Sequence, residues 1–171
     1  MRQPRILFFA LLGTLLGVAA CSADHASLLE SPAPSFDHGG IDSQLLSCSP
    51  LPYSKTSATI GPQGGSLSFG PHTLVVPKDA LGKTVTITAE IISGSANSVR
   101  FSPEGLQFSK GGAALTLSYS NCSGLGMLLP KQVAYTDEYL YIESLVQSVD
   151  LASQKKVTGQ LKHFSRYAVA Y

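Results

Sequence analysis

The sequence predicts an all-β fold, an antiparallel β-sandwich. Three observations point there. Short alternating or wholly apolar runs recur at a spacing of roughly 8–12 residues. Gly and Pro punctuate these runs without a period, as tight turns do. No stretch sustains a strong helical spacing of apolar residues. Charged residues make up 13% of the 171-residue chain, about half the usual share of roughly 25%, so apolar and hydroxyl side chains carry the pattern.

The elements follow in order. Ala58-Thr59-Ile60 is the first run, ended by Gly61-Pro62-Gln63-Gly64-Gly65, where the glycine pair admits positive φ and a sharp reversal. Ser66-Leu67-Ser68-Phe69 is next, then Gly70-Pro71. His72-Thr73-Leu74-Val75-Val76 stops at Pro77, which cannot donate to a ladder. Residues 84–92, TVTITAEII, alternate cleanly and break at Ser93-Gly94. Ser98-Val99-Arg100-Phe101 stops before the turn Pro103-Glu104-Gly105. Residues 113–119, Val133-Ala134-Tyr135, Leu140-Tyr141-Ile142-Glu143, residues 157–161 and the closing LKHFSRYAVAY complete the set. Residues 143–152 have the most helix-like spacing, and helix, strand and turn all stay open there.

Ahead of the domain lie two other segments. Met1-Arg2-Gln3-Pro4-Arg5 is a basic start, and the fifteen residues 6–20 carry no charge. A bilayer span needs about 20 apolar residues, so residues 1–20 fit a secretory signal peptide instead. Val18-Ala19-Ala20-Cys21 resembles a bacterial lipobox. The resemblance implies cleavage before Cys21 and acylation of that residue, anchoring the chain to a lipid bilayer. An ordinary secretory leader and an uncleaved anchor helix are the alternatives. Acyl chains contribute about 0.8 kcal/mol per buried CH₂, and one alone binds only marginally; the two or three implied here hold a protein stably. Ser22, rather than Asp, follows the cysteine. By resemblance to lipoprotein sorting in Gram-negative bacteria, that favours the outer membrane. Residues 21–47 read as a flexible tether, with Ser-Pro-Ala-Pro and a Gly pair and no sustained period. His25 and His38, beside Asp24 and Asp37, offer a weak metal site at most in such a solvated segment.

With Cys21 acylated, Cys48 and Cys122 remain, and export places this even pair in an oxidising compartment where a disulfide is expected. No four-ligand cluster suggests a metal, and a reactive thiol requires a reducing host. Gly124-Leu125-Gly126 lacks the Lys-Ser/Thr of a phosphate loop, so no cofactor is indicated. The formal charge is +1. Removing Arg2 and Arg5 with a leader leaves ten basic residues against eleven acidic ones, with no Lys/Arg stripe, which disfavours a nucleic-acid partner.

Residues 60–81, IGPQGGSLSFGPHTLVVPKDAL, followed by VTITAEI, resemble the opening of a ZU5 domain; RFSPEGLQFSKGGAALTLSY and HFSRYAVAY extend the likeness from about Thr56 to Tyr171. The resemblance implies a β-sandwich over 48–171 that mediates protein contacts and is not an enzyme. Its partner would be another envelope protein.

Some ZU5-containing proteins cleave themselves at a Phe-Ser bond within His-Phe-Ser, and His163, Phe164 and Ser165 match residue by residue. By that resemblance Ser165 Oγ would attack the Phe164 carbonyl, with His163 or a water taking the proton, before the ester hydrolyses. Here cleavage would release only the seven residues 165–171, and Phe164, Tyr167, Val169 and Tyr171 also read as an ordinary buried strand. A hydrolase acting in trans is disfavoured, because no G-x-S-x-G elbow occurs. Three function classes therefore stand. The first is an anchored interaction or structural module, the second a self-processing domain, and the third a carrier of a small apolar or saccharide ligand.

Overall fold

A computed structural model describes residues 44–171, which form an antiparallel β-sandwich with no α-helix among them. The strands are β1 (Ser54–Ile60), β2 (Gly65–Phe69), β3 (His72–Val76), β4 (Val85–Ile92), β5 (Ser98–Ser102), β6 (Ala113–Ser118), β7 (Gln132–Thr136), β8 (Ile142–Val146), β9 (Ser148–Leu151), β10 (Lys156–Leu161) and β11 (Arg166–Ala170). One sheet runs β1-β4-β5-β11-β7-β8 and the other β2-β3-β6-β10-β9. The leader, Cys21, His25 and His38 lie outside the described residues.

Period-2 alternation builds both layers. In β4, Ile87, Ala89 and Ile91 are buried. On the outer faces, hydroxyls pair across strands instead: Ser57 Oγ with Thr88 Oγ1 at 2.8 Å, and Thr116 Oγ1 with Thr158 Oγ1 at 2.8 Å. Between the layers, Phe101 stacks on Phe164 (4.8 Å between ring centroids) and meets Phe69 edge-on at 5.7 Å. Each such fully buried side chain stabilises the fold by about 1.5–3 kcal/mol.

The glycine turn is required by contact as well as by twist. Gly64 has φ of 77°, and a Cβ there would meet Val76 O at 2.5 Å. Pro77 lies immediately beyond β3, as its missing N–H demands.

The structure decides among the readings left open at 143–152 and corrects two expectations, the start of one strand and the tether boundary. Residues 143–152 are strand, not helix, apart from a short 3₁₀ turn at Ala152–Gln154: β8 occupies the border of one sheet and β9 that of the other. Ile142, Leu145, Val146 and Val149 happen to fall at helical spacing, but a helix would leave β7 and β10 each unpaired on one side, and β-branched residues suit the strands. The strand expected from Leu140 begins at Ile142. Leu140 sits at φ 71° in a turn closed by Asp137 Oδ1, which accepts from the N–H groups of Tyr139 (2.8 Å) and Tyr141 (2.9 Å).

The tether boundary also moves. Leu46 is fully buried, its N–H donating to Val169 O (2.9 Å), and Tyr171 N–H donates to Gln44 O (3.0 Å). The sandwich thus takes in 44–47, ahead of Cys48. β11 is buried at all five positions and runs between β5 and β7.

Candidate functional site

The crossover from β10 to β11 carries His163, Phe164 and Ser165, and backbone bonds staple it to 103–108. Phe108 N–H donates to Lys162 O (2.9 Å), Phe164 N–H to Leu106 O (2.9 Å), and Gly105 N–H to Phe164 O (2.9 Å). Phe101 N–H donates to Ser165 O at 3.0 Å. The Phe164 ring is fully buried between Phe101 and Phe108, the latter edge-on at 4.9 Å. Tyr167 Oη donates to His163 O at 2.7 Å. Burial holds the Tyr167 phenol well above its ordinary pKa, and Tyr135 adds to this.

The crossover brings His163 to the Phe164 carbonyl: Nδ1 lies 3.5 Å from that oxygen. A proton on Nδ1 would be donated to that carbonyl and would leave Nε2 as the ring's basic nitrogen. Gly105 N–H points at the same oxygen and is the kind of backbone donor that stabilises a developing oxyanion. Among the described residues no hydrogen bond joins His163 to Ser165 Oγ.

The other histidine in the domain is unavailable for acid–base work with either residue. His72 on β3 is 2% exposed, and its Nδ1 accepts Ser118 N–H at 3.0 Å. That places the proton on Nε2, which is buried without a hydrogen-bond partner. Burial pushes its pKa down to about 4, so the ring is neutral at pH 7.

Beside the crossover lies a cleft of about 260 Å³, lined by Tyr135, His163, Tyr167, Lys162, Gln147 and Gln160, among others. His163 meets the Tyr135 ring edge-on at 5.1 Å. The lining comes from β7, β8, β10, β11, the β8–β9 link and the crossover, and the Gln160 amide is bonded to Gly111 O. Sequence reasoning singled out His163 but missed Tyr135, Gln147 and Gln160. The inward phase of Tyr135, two residues from buried Val133, was the available signal.

Cys48 and Cys122 are joined in a disulfide across 74 positions. Around it Ser49 N–H donates to Asn121 O (2.9 Å) and Ser123 N–H to Ser47 O (2.9 Å). The Asn97 and Asn121 amides bond reciprocally, at 2.7 and 3.0 Å. Among the described residues no group of three or more His, Cys, Asp or Glu could hold a metal.

β8 borders its sheet and pairs only with β7. Exposed apolar side chains flank this side of the sandwich: Leu145 on β8, Val149 and Leu151 on β9. No protein-family model matches the chain, and no curated protein matches it.

Proposed function

We propose that this protein is a bacterial envelope lipoprotein, held on a bilayer through acylated Cys21, whose ZU5-like sandwich serves protein interaction. The observation that carries the reading is Val18-Ala19-Ala20-Cys21 at the end of the fifteen-residue uncharged run 6–20. Ser22 supports the outer membrane as its address. The sandwich supports the interaction role, because an unblocked border strand is a template for a partner strand. β8, with Leu145 exposed, suits an extended segment of another envelope protein.

Cys21→Ser tests the anchor. It abolishes lipid labelling and leaves the protein soluble or unprocessed; unchanged anchoring with normal leader removal overturns the reading. Pull-down from envelope extracts tests the partner. A captured protein lost with Leu145→Lys supports pairing at β8, and capture indifferent to that change argues against it.

A second reading has its own observation. The cleft beside His163 has the aromatic and polar lining that sugar rings and small apolar groups favour, at a volume just below the range of drug-sized ligand pockets, roughly 300–1,000 Å³. Saturable quenching of tyrosine fluorescence by a mono- or disaccharide, lost in Tyr135→Ala, would establish it; no response to a saccharide panel removes the saccharide form.

A further inference from the structure

We propose that the turn at 125–129 is an apolar knob that seats the sandwich on the surface of the bilayer holding the Cys21 anchor; this rests on the anchored-lipoprotein reading. The turn is a 3₁₀ helix, Leu125–Leu128, followed by Leu129. Leu125 is 85% exposed, Leu128 84% and Leu129 51%. Three leucines held in water on one turn form the kind of exposed apolar feature that marks a contact surface.

The turn is built rigidly. Met127 N–H donates to Gly124 O (3.1 Å) and Leu129 N–H to Gly126 O (3.2 Å). Gly126 is buried against the fold: a Cβ there would meet the Tyr171 ring at 2.6 Å and Leu46 at 3.0 Å. The disulfide at Cys122 fixes the preceding residues to Cys48. The glycine faces the protein and the leucines face out, so collapse onto the sandwich is not open to them.

Position and charge select the occupant. The turn packs on Leu46 and Tyr171, and Tyr171 N–H donates to Gln44 O, where the described chain begins. It therefore stands at the end of the sandwich where the described residues begin. No Asp or Glu occurs between Tyr119 and Thr136. Lys131, the only cation in that stretch, is turned back on Leu129 O and lies 5.5 Å from the Tyr119 ring centroid. Asp150, the nearby carboxylate, is engaged by Tyr119 Oη (2.6 Å) and Lys131 N–H (2.9 Å). Lys155, bonded through its carbonyl to Tyr119 N–H (2.8 Å), presents an exposed cation at the same end. Leucines in a stretch without carboxylates, with an exposed lysine at the same end of the sandwich, fit a surface of anionic headgroups over acyl chains.

The chain contains no tryptophan, so Leu128→Trp is a clean reporter, with Glu104→Trp as a control at the far end of the sandwich. Each acylated variant is reconstituted into vesicles of phosphatidylethanolamine and phosphatidylglycerol, with and without brominated acyl chains. The expected result is flotation of both variants with the vesicles. Leu128→Trp should give a blue-shifted indole emission quenched by brominated lipid, and Glu104→Trp an emission that bromine leaves unaffected. Flotation with an unshifted, unquenched indole in Leu128→Trp overturns the knob and leaves the anchor standing. Emission shifted but insensitive to bromine points to a protein partner or second copy on the turn, and also overturns it. Absence of flotation overturns the anchor and the contact resting on it. If Leu128→Trp does not fold, the equally exposed Leu125→Trp carries the same measurement.

Discussion

Tyr167 Oη reaches back four residues to the carbonyl of His163, 2.7 Å away. The bond ties the buried start of β11 to the crossover, at a ring 1% exposed. Tyr167→Phe keeps the ring's packing and deprives one carbonyl of a donor. We expect a loss of about 1 kcal/mol, read as a lower denaturant midpoint at unchanged m-value. No shift in midpoint would show that the bond contributes nothing net.

His72 sets an acid limit on stability. Its folded pKa of about 4 lies below the unfolded value of 6.5, so between those values the unfolded chain binds the proton and the native state does not. Stability from this group is intact above about pH 6.5, falls as pH drops, and levels off below about pH 4. The full loss is on the order of 3 kcal/mol. Urea midpoints across that window should slope less in His72→Leu than in wild type. The variant should also be less stable at pH 7, because Ser118 N–H loses its acceptor. Parallel slopes would rule out His72 as the source.

The Cys48–Cys122 bridge closes a loop that holds β1 to β6, with a sequence separation of 74. In the chain-entropy account a loop of that length stabilises by roughly 4 kcal/mol. Reduction, or the double substitution to Ala, should lower the melting temperature strongly, and non-reducing peptide mapping should find the two residues joined. Two free thiols under oxidising conditions would contradict the pairing.

Most strands were legible because their alternation has one interpretation. TVTITAEII can bury Ile87, Ala89 and Ile91 only as a strand. Residues 143–152 stayed open among helix, strand and turn, because Ile142, Leu145, Val146 and Val149 fall at helical spacing and only pairing on the open sides of β7 and β10 decides for strand. The burial of Leu46 was half legible: Leu45-Leu46 reads as an apolar spot able to dock, but its place beside Val169 is set by sheet pairing that the sequence does not show. Of the candidate sites, the cysteine pair was legible from its even count together with the leader-like start of the chain. The cleft was not, since Tyr135 and His163 come together through sheet order rather than sequence spacing. The leucine turn was masked by its glycines, which read as a loop motif.

The closing strand separates a structural role for His163-Phe164-Ser165 from self-cleavage. β11 is buried at every position between β5 and β7. Deleting 165–171 removes two ladders together with Tyr167 and Val169, each worth about 1.5–3 kcal/mol when buried, against a typical total of about 5–15 kcal/mol. The truncated chain should not fold. Phe164→Ala, which empties a site stacked on Phe101, should cost about 3–5 kcal/mol. Ser165→Ala, at a half-buried position, should cost no more than about 1 kcal/mol. With no hydrogen bond joining His163 to Ser165 Oγ among the described residues, and Phe164 fully buried, we expect wild-type protein aged at neutral pH to give one intact mass after denaturation. Loss of a fragment matching 165–171, abolished by Ser165→Ala or His163→Ala, would instead establish the acyl shift, with Gly105 N–H as its oxyanion donor and the severed strand held in place by its two neighbours.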